Sequence, residues 1–327
     1  MEIKIGIIGT GWFTKHHLNI LARFEEVVVV GFVGSNKEKA EHHAASYPGT
    51  KGFGSLDEMI ADDRPDAVYI CVPPMGHGHY EKLLIEEGIP FFVEKPLGND
   101  IQTVKEINQL AEERNHLTSV GYQFRYSDTV EKWKRYNKRV RTGMVTAGWM
   151  GSMPPVYWWR DQSSSGGQFN EQTTHLVDLI RFVYGEVVSV YAKETQNGNA
   201  KTDRSISVAD VGSYTLTMES GLIVHVSNTS VLPDGIGEVD IKAYTDKGIL
   251  TWQIQNFEAL FGNEKESFTA KKDPYIEENA AFIYAVINKD SSKILSSYQD
   301  AFQSFKVAMA ARKSIESGRE VLLTDIE

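Results

Sequence analysis

The chain begins with an apolar strand that runs directly into two closely spaced glycines, and this combination restricts its fold more than any other segment. Residues 3–8 are mostly apolar and β-branched, as is typical of a central parallel strand covered on both faces. Gly9 and Gly11 follow, and a helical pattern begins at about Thr14. Two glycines at this position permit a tight turn whose backbone N–H groups can approach a pyrophosphate. The segment therefore predicts a dinucleotide-binding start of an α/β domain.

Strand and helix patterns alternate through the first 122 residues. Further strand-length apolar runs lie at 27–33, 67–72, 91–94 and 117–122, and helical patterns lie at 14–24, 37–46, 55–60, 77–87 and 101–114. Repeated βα units of this length are typical of a doubly wound parallel sheet. The sequence predicts an α/β Rossmann domain over residues 1–122.

The pattern changes after residue 126. A helix is predicted at 171–184, followed by strands at 187–191, 208–218, 222–231, 239–244 and 249–253, a polar loop at 195–207 and a closing helix at about 297–317. The chain has 327 residues, more than the ~250 at which a single core usually stops growing. We expect a second, α+β domain over 123–327 with a mostly antiparallel open sheet, whose closing helix packs back on the first domain.

The composition excludes several classes of protein. Asp+Glu 44 against Lys+Arg 34 gives a net charge of −10, which repels nucleic acid and anionic membrane surfaces. The one cysteine, Cys71, excludes an internal disulfide and a thiolate metal cluster. No apolar run reaches the ~18 residues of a membrane span, and the chain starts as a strand and not as a signal peptide. We expect a cytoplasmic protein that binds neither nucleic acid nor membranes.

The residues after the second strand bear on the choice of dinucleotide. An NAD site usually has a carboxylate there for the adenosine ribose. This chain has Gly34-Ser35-Asn36, followed by Lys37 and Lys39. The segment favours NADP over NAD, because a 2′-phosphate would meet no like charge. The alternative interpretation of the lysines is the solvated start of a helix.

Glu94-Lys95-Pro96 stands at the end of a predicted strand, at the edge where open α/β sheets bind ligands. A lysine there can donate to a substrate hydroxyl or carbonyl group. The alternative is a surface lysine before a turn proline.

Together with these segments, further motifs make the chain resemble the Gfo/Idh/MocA oxidoreductases, which include glucose-fructose oxidoreductase and inositol dehydrogenases. The resemblance covers the whole chain in order. Its motifs are Gly6-Ile-Ile-Gly9-Thr-Gly11, Val72-Pro73-Pro74-Met75-Gly76-His77, Glu94-Lys95-Pro96-Leu97, Gly121-Tyr122-Gln123-Phe124-Arg125-Tyr126, Gly166-Gly167 with His175 and Asp178, Ser297-Tyr298-Gln299-Asp300-Ala301, and Ser317-Gly318-Arg319.

The resemblance implies which residues serve the cofactor and the reaction. Lys95 and His175 would be catalytic, with Glu171 at the position where the family has aspartate. Val72-Pro73-Pro74 replaces the family's Thr-Pro-Asn, which removes one side-chain donor near the cofactor. The implied cofactor-binding residues are Gly9, Thr10, Gly11, Trp12, Phe13, Ser35, Asn36, Val72, Pro73, His77, Glu94, Lys95 and Arg125.

Residue spacing leads independently to the helix of His175. At 100° per residue, one stripe contains Glu171, His175 and Asp178, and the opposite stripe is apolar, with Leu176, Leu179, Ile180 and Val183. A carboxylate one turn before a histidine can fix its tautomer. The alternatives are a solvent-facing polar stripe, or a zinc pair for which no third ligand is identifiable. We expect no metal.

Trp158-Trp159-Arg160 is a candidate substrate segment. Aromatic faces can stack on a sugar, and an arginine can bind hydroxyl or carboxylate groups. We therefore include Arg160 with Lys95, His175 and Asp178 as candidate substrate residues. Ordinary packing of the two tryptophans at a domain boundary is the alternative.

These residues lead to the hypothesis of an NAD(P)-dependent dehydrogenase acting on a secondary hydroxyl of a sugar, polyol or inositol-like substrate. Two alternatives remain open: a dinucleotide-sensing regulator without activity, and a glycosidase that uses a tightly held nicotinamide. The second-domain sheet has one face to pack on its own helices and another to be covered. Family members pair through that sheet, so we expect a homodimer or homotetramer.

Overall fold

The computed structural model describes residues 2–199 and 203–326 and divides the chain into two compact units. The first unit contains Met1–Tyr122 and Tyr275–Ala301, and the second contains Gln123–Pro274 and Phe302–Glu327. Residues 200–202, which belong to the predicted loop 195–207, lie outside the described residues. Within the described residues, no helix combines the length and apolar character needed to cross a membrane.

The first unit is built on a six-stranded parallel sheet with the order β3-β2-β1-β4-β5-β6. Its strands are β1 (Ile3–Ile8), β2 (Val27–Val33), β3 (Lys51–Phe53), β4 (Ala67–Ile70), β5 (Phe91–Val93) and β6 (Thr118–Val120). The helices that alternate with them are α1 (Trp12–Leu21), α2 (Lys37–Ala44), α3 (Leu56–Asp63), α4 (His79–Glu87) and α5 (Ile101–Glu113). This confirms the predicted doubly wound sheet, in which the strand order reverses between β1 and β4 and opens a crevice at their carboxyl ends.

The second unit contains a nine-stranded sheet with the order β14-β13-β12-β11-β7-β10-β9-β8-β15, antiparallel except for the β7–β10 pair. Its strands are β7 (Thr142–Met150), β8 (Val187–Thr195), β9 (Val211–Met218), β10 (Ile223–Thr229), β11 (Glu238–Thr245), β12 (Gly248–Gln253), β13 (Asn256–Phe261), β14 (Glu264–Thr269) and β15 (Val321–Leu322). This confirms the predicted mostly antiparallel sheet.

One face of that sheet packs on helices. They are α6 (Asp128–Asn137), α8 (Thr174–Tyr184) and the closing helix α10 (Tyr298–Ser317). The short helix α7 (Gln162–Ser165) precedes α8 in the chain, and α9 (Pro274–Asn288) precedes α10. The shared core includes Trp133, Leu176, Ile180, Val226 and Val307, all almost fully buried. The backbone N–H of Asp300 donates to Ser297 Oγ, a hydrogen bond that caps the closing helix at its predicted start.

Helix α9 corrects the predicted domain division. The sequence pattern predicts a second domain over all of 123–327, but residues 275–301 belong to the first unit. Phe282 and Ile283 of α9 join Ile5 and Tyr69 in the core of the parallel sheet. The residues of the closing helix from Phe302 onward belong to the second unit, and the packing of this helix on the first domain stays a prediction.

Candidate active site

The turn between β1 and α1 fits a dinucleotide diphosphate. Gly9 has a φ of +110°, and a Cβ there would lie 2.2 Å from the carbonyl oxygen of Cys71. A Cβ at Gly11 would meet nothing within 4 Å, so the backbone in front of α1 is open to a ligand. The first turn of α1 holds no acidic residue that would oppose an anion at this helix N-terminus.

Thr14 stands where the dinucleotide fingerprint has its third glycine. The side chain is fully buried. Trp12, by contrast, is 73% exposed at the start of α1, and Phe13 behind it packs against Tyr275. The helix therefore stays close to the sheet without the third glycine.

The end of β2 presents positive charge. Asn36 caps α2 by accepting from the backbone N–H of Lys39, whose Nζ lies 3.2 Å from Ser35 Oγ. A cavity of about 800 Å³ opens here, and its lining includes Thr10, Lys15, Asn36, Glu38, Lys39, His42 and His43. Burial, followed by the charges of Lys15 and His42, lowers the pKa of His43. Two lysines against one carboxylate leave this cavity suited to an anion.

The end of β5 shows how Glu94 is held. This carboxylate is 5% exposed and lies 2.8 Å from Nε2 of His17, whose Nδ1 lies 3.2 Å from Asn279 Oδ1. A Cβ at Gly121 would approach both Glu94 oxygens to 2.8 Å, so this glycine makes room for the carboxylate. His17 is itself fully buried, so its contact with Glu94 is shielded from water.

Lys95 follows Glu94 directly, at the carboxyl edge of the same sheet. It is half-buried and precedes Pro96 through a cis peptide bond. The loop after β4 reaches this edge too and contains Val72, Pro73 and His77.

His77 forms a carboxylate–histidine pair. Its Nδ1 lies 2.6 Å from Oε1 of Glu81, and Oε2 of Glu81 accepts from the backbone N–H of Gly78 at 2.7 Å. Both side chains are almost fully buried. The carboxylate therefore fixes the ring so that Nε2 is available for a contact on the other side.

In the second unit, the widened turn before α8 holds Glu171. Residues Phe169–Thr173 form one π-helical turn, and the α-helix begins at Thr174. Such turns are rare and occur often at functional sites. Glu171, His175 and Asp178 are only 8%, 6% and 1% exposed, so the interpretation as a solvent-facing stripe is wrong.

The ring of His175 lies between two aromatic side chains. Its centroid is 5.1 Å from that of Phe124 and 5.9 Å from that of Trp149, which is nearly parallel to it at 20°. These contacts fix the plane of the imidazole in a largely apolar setting. No local pattern in the sequence indicates Trp149, because only the folded sheet brings β7 next to α8.

Arg125 and Asp178 bind each other. The guanidinium donates to both carboxylate oxygens, at 2.7 and 2.6 Å, and Ser304 Oγ donates to Oδ1 at 3.0 Å. These contacts account for the burial of both groups without a ligand. The cofactor role of Arg125 and the substrate role of Asp178 stay predictions.

The two tryptophans before Arg160 pack in one small apolar cluster. Trp159 is buried with Ile206 and Val208, as the packing alternative predicts, while Arg160 lies 3.8 Å from Asp203. Over residues 2–199 and 203–326, no group of three or more His, Cys, Asp or Glu side chains could hold a metal ion.

One of these two histidine–carboxylate contacts has a signal in the sequence, and the other has none. His77 and Glu81 are four residues apart at the start of a predicted helix, a spacing that places both side chains on one face. The contact between His17 and Glu94 had no such signal, because 77 residues separate its partners.

Comparison with known proteins gives relatives that span the chain. Thermotoga maritima myo-inositol 2-dehydrogenase is 22% identical, covering 99% of both chains. The structure of a putative NADPH-dependent oxidoreductase from Desulfitobacterium hafniense has a TM-score of 0.87 at 17% identity, covering 99% of both chains. The WlbA dehydrogenase of Bordetella pertussis, solved with NADH and UDP-GlcNAcA, has a TM-score of 0.84 at 21% identity, covering 98% of this chain and 99% of WlbA.

Family models match both halves of the chain. Residues 3–122 match the oxidoreductase family with an NAD-binding Rossmann fold, and residues 139–251 match the GFO/IDH/MocA C-terminal domain. Both matches agree with the strand orders described above and with the resemblance seen in the sequence. The chain therefore belongs to the Gfo/Idh/MocA family of NAD-binding oxidoreductases.

Proposed function

We propose that this protein is an NAD(P)-dependent dehydrogenase that acts on a secondary hydroxyl, or the matching carbonyl, of a sugar, polyol or inositol-like substrate. The observation that carries the proposal is that the open Gly9–Gly11 turn and Lys95 both follow strands of one parallel sheet at its carboxyl edge. A phosphate cradle and a proton-donating amine are thus held on one rigid element. The inositol dehydrogenase relative supports the substrate class.

The proposal assigns separate tasks to three side chains. The bound nicotinamide supplies the hydride acceptor or donor. Lys95 donates to the substrate oxygen and stabilises negative charge on it. His175, its ring held by Phe124 and Trp149, accepts or returns the hydroxyl proton, and Glu171 orients it. The tasks of Lys95 and His175 can be exchanged without changing the residues involved.

We further propose a preference for NADP(H). Lys15 and Lys39 line the cavity at the end of β2, and their positive charges there support a 2′-phosphate on the adenosine ribose. Residues 34–36 offer no carboxylate for a ribose 2′-hydroxyl. Glu38 at the same cavity opposes the preference in part, since it supplies one negative charge.

A homodimer or homotetramer and a cytoplasmic location stay predictions. The face of the second-unit sheet opposite its helices supports the first of these, because cross-strand neighbours form a continuous apolar row there. The row consists of Ile223, Met144, Tyr244, Ile249 and Leu260.

The test is steady-state formation of NAD(P)H with a panel that contains myo-inositol, glucose, galactose and glucuronic acid, each with NAD⁺ and NADP⁺. Steady turnover with one of them supports the dehydrogenase. Release of sugar from aryl glycosides without net change of cofactor would overturn it in favour of the glycosidase. Tight dinucleotide binding without turnover on this panel or on the corresponding ketones with NAD(P)H would favour the regulator. The comparisons give these two alternatives no support, since the relatives named above are dehydrogenases or oxidoreductases.

A further inference from the structure

A chain of hydrogen bonds runs through the second-unit sheet to the π-helical turn. Asn228 on β10 donates from Nδ2 to Thr173 Oγ1 at 2.9 Å and to Tyr214 Oη at 3.4 Å. Tyr214 on β9 donates in turn to Oε1 of Glu194 on β8, at 2.5 Å. Three neighbouring strands thus contribute one side chain each, and the chain of bonds ends at the last residue of the turn.

The sheet leaves space for this chain of bonds at one glycine. A Cβ at Gly212 would lie 2.1 Å from Tyr214 Oη and 2.6 Å from Asn228 Oδ1. Both contacts are shorter than side chains tolerate, so any larger residue at 212 displaces the phenol or the amide. The absence of a side chain there is a requirement of the network and not of the backbone, because Gly212 has no positive φ.

The polar groups of the network are buried and fixed in their roles. Thr173, Asn228 and Tyr214 are at most 3% exposed, and Glu194 is half-buried. Burial, followed by the charge of Glu194, raises the pKa of Tyr214 well above its ordinary value, so its hydroxyl stays protonated and donates. A buried donor that loses its partner is costly, which favours one arrangement of these side chains.

The same tyrosine also holds the first residue of the turn. The ring centroids of Phe169 and Tyr214 are 3.9 Å apart, and Phe169 begins the turn that Thr173 ends. Tyr214 therefore contacts the first residue of the five-residue turn directly and is linked to its last residue, Thr173, through Asn228. Glu171 lies in the middle of the turn, and His175 lies two residues after the end of the turn.

We propose that Thr173, Asn228 and Tyr214 are positioning residues that hold the π-helical turn in its widened form and thereby set the place of Glu171 and His175. A π-helical turn is rare in an otherwise α-helical segment, so contacts from outside the helix are needed to maintain it. The role of this positioning in catalysis rests on the proposed function of His175. The claim that the three residues hold the turn does not depend on that function.

The test measures the place of the His175 ring without a substrate. Because Trp149 and Phe124 lie against this ring, its Hε1 proton NMR resonance reports its position, and the signal is assigned by its loss in His175→Gln. We expect Thr173→Val to shift the resonance by more than its linewidth, and Thr173→Ser, which keeps the hydroxyl, to restore it. Thr118→Val is the matched control, because Thr118 is another buried threonine with a hydrogen-bonded hydroxyl, in the first unit.

A second variant covers the case in which Thr173→Val does not fold. Tyr214→Phe keeps the ring contact with Phe169 but removes the bonds to Asn228 and Glu194, and we expect it to shift the same resonance. An unchanged resonance in a folded Thr173→Val or Tyr214→Phe variant would overturn the proposal. If His175→Ala keeps full turnover, the proposed function of His175 fails, while the positioning result still stands.

Discussion

Arg125 and Asp178 form a bidentate ion pair in which both side chains are almost fully buried. Nε of the arginine lies 2.7 Å from Oδ2 and Nη2 lies 2.6 Å from Oδ1. The pair fastens the segment before α6 to α8, one turn beyond His175. Ser304 of the closing helix α10 also binds the pair, because its Oγ donates to Oδ1 of Asp178 and accepts from Arg181 at 2.7 Å.

Removing this carboxylate should cost stability more than binding. In Asp178→Ala the buried guanidinium of Arg125 loses its counter-charge, so we expect the free energy of unfolding to fall by about 3–5 kcal/mol. Urea denaturation followed by circular dichroism measures this. If stability is unchanged and the KM for substrate rises instead, Asp178 contacts substrate, as the sequence analysis first suggested.

The sequence was most informative where local patterns decide the structure. The boundaries of β2 follow from a continuous apolar run, and the start of the closing helix follows from Ser297, a residue type that caps helices. Strand β7 was missed because its glycines break the alternation, and β14 because it is exposed on nearly all sides. The contacts of His17, Trp149 and Asn228 join distant segments, and no local pattern encodes such pairs.

Ser35 is the position that tests the proposed preference for NADP(H). In Ser35→Asp a carboxylate would stand beside Lys39, where we propose that the adenosine ribose binds, so we expect NADP(H) affinity to fall and NAD(H) affinity to change less. Gly34 is a poorer position for this change, since a Cβ there would lie 3.0 Å from the carbonyl oxygen of Asn36.

Lys39→Ala is the companion variant. Loss of its ammonium group should weaken NADP(H) selectively, and Lys51→Ala, an exposed lysine in the same unit, should leave both affinities unchanged. Titration of NADPH and NADH fluorescence gives the dissociation constants. Equal losses for the two cofactors would mean that this cavity does not bind the 2′-phosphate.

Glu194 should make stability depend on pH. Burial raises the pKa of this carboxyl group above its ordinary value, although the Tyr214 hydroxyl opposes the shift. A folded-state pKa above the unfolded one stabilises the fold at low pH, and this contribution is lost as pH rises through the folded value. We therefore expect Glu194→Gln to be more stable than wild type near neutral pH, with the difference shrinking toward pH 4.

Thermal melts of both proteins between pH 4 and pH 8 measure this difference. Glutamine keeps an oxygen that accepts from Tyr214, so the comparison isolates the charge. A difference that grows as pH falls would show that Glu194 is instead stabilised in its ionised form.

The apolar row on the second-unit sheet should support self-association. Tyr244 stands in register with Met144 on one side and Ile249 on the other, and it is 40% exposed. A lysine at this position places charge in the middle of the row, so we expect Tyr244→Lys to weaken a dimer or tetramer. Sedimentation velocity at micromolar concentration shows the change. A wild-type chain that sediments as a stable monomer would remove the prediction.

Lys95 and His175 should each be needed for the chemical step. Lys95→Ala removes the group that stabilises charge on the substrate oxygen, and His175→Ala removes the proton acceptor, so kcat should fall by roughly 10²-fold or more in each. Cofactor dissociation constants should change little in His175→Ala. Lys51→Ala again serves as the control for loss of a lysine.

The double variant decides whether the two residues act together. Side chains that act on one oxygen as a unit give less than additive losses, so Lys95→Ala with His175→Ala should be little worse than the poorer single variant. Additive losses would mean that they act on separate steps. Wild-type-like kcat in His175→Ala would eliminate this histidine as the proton acceptor and leave Lys95, or the oriented ring of His77, as the group to test next.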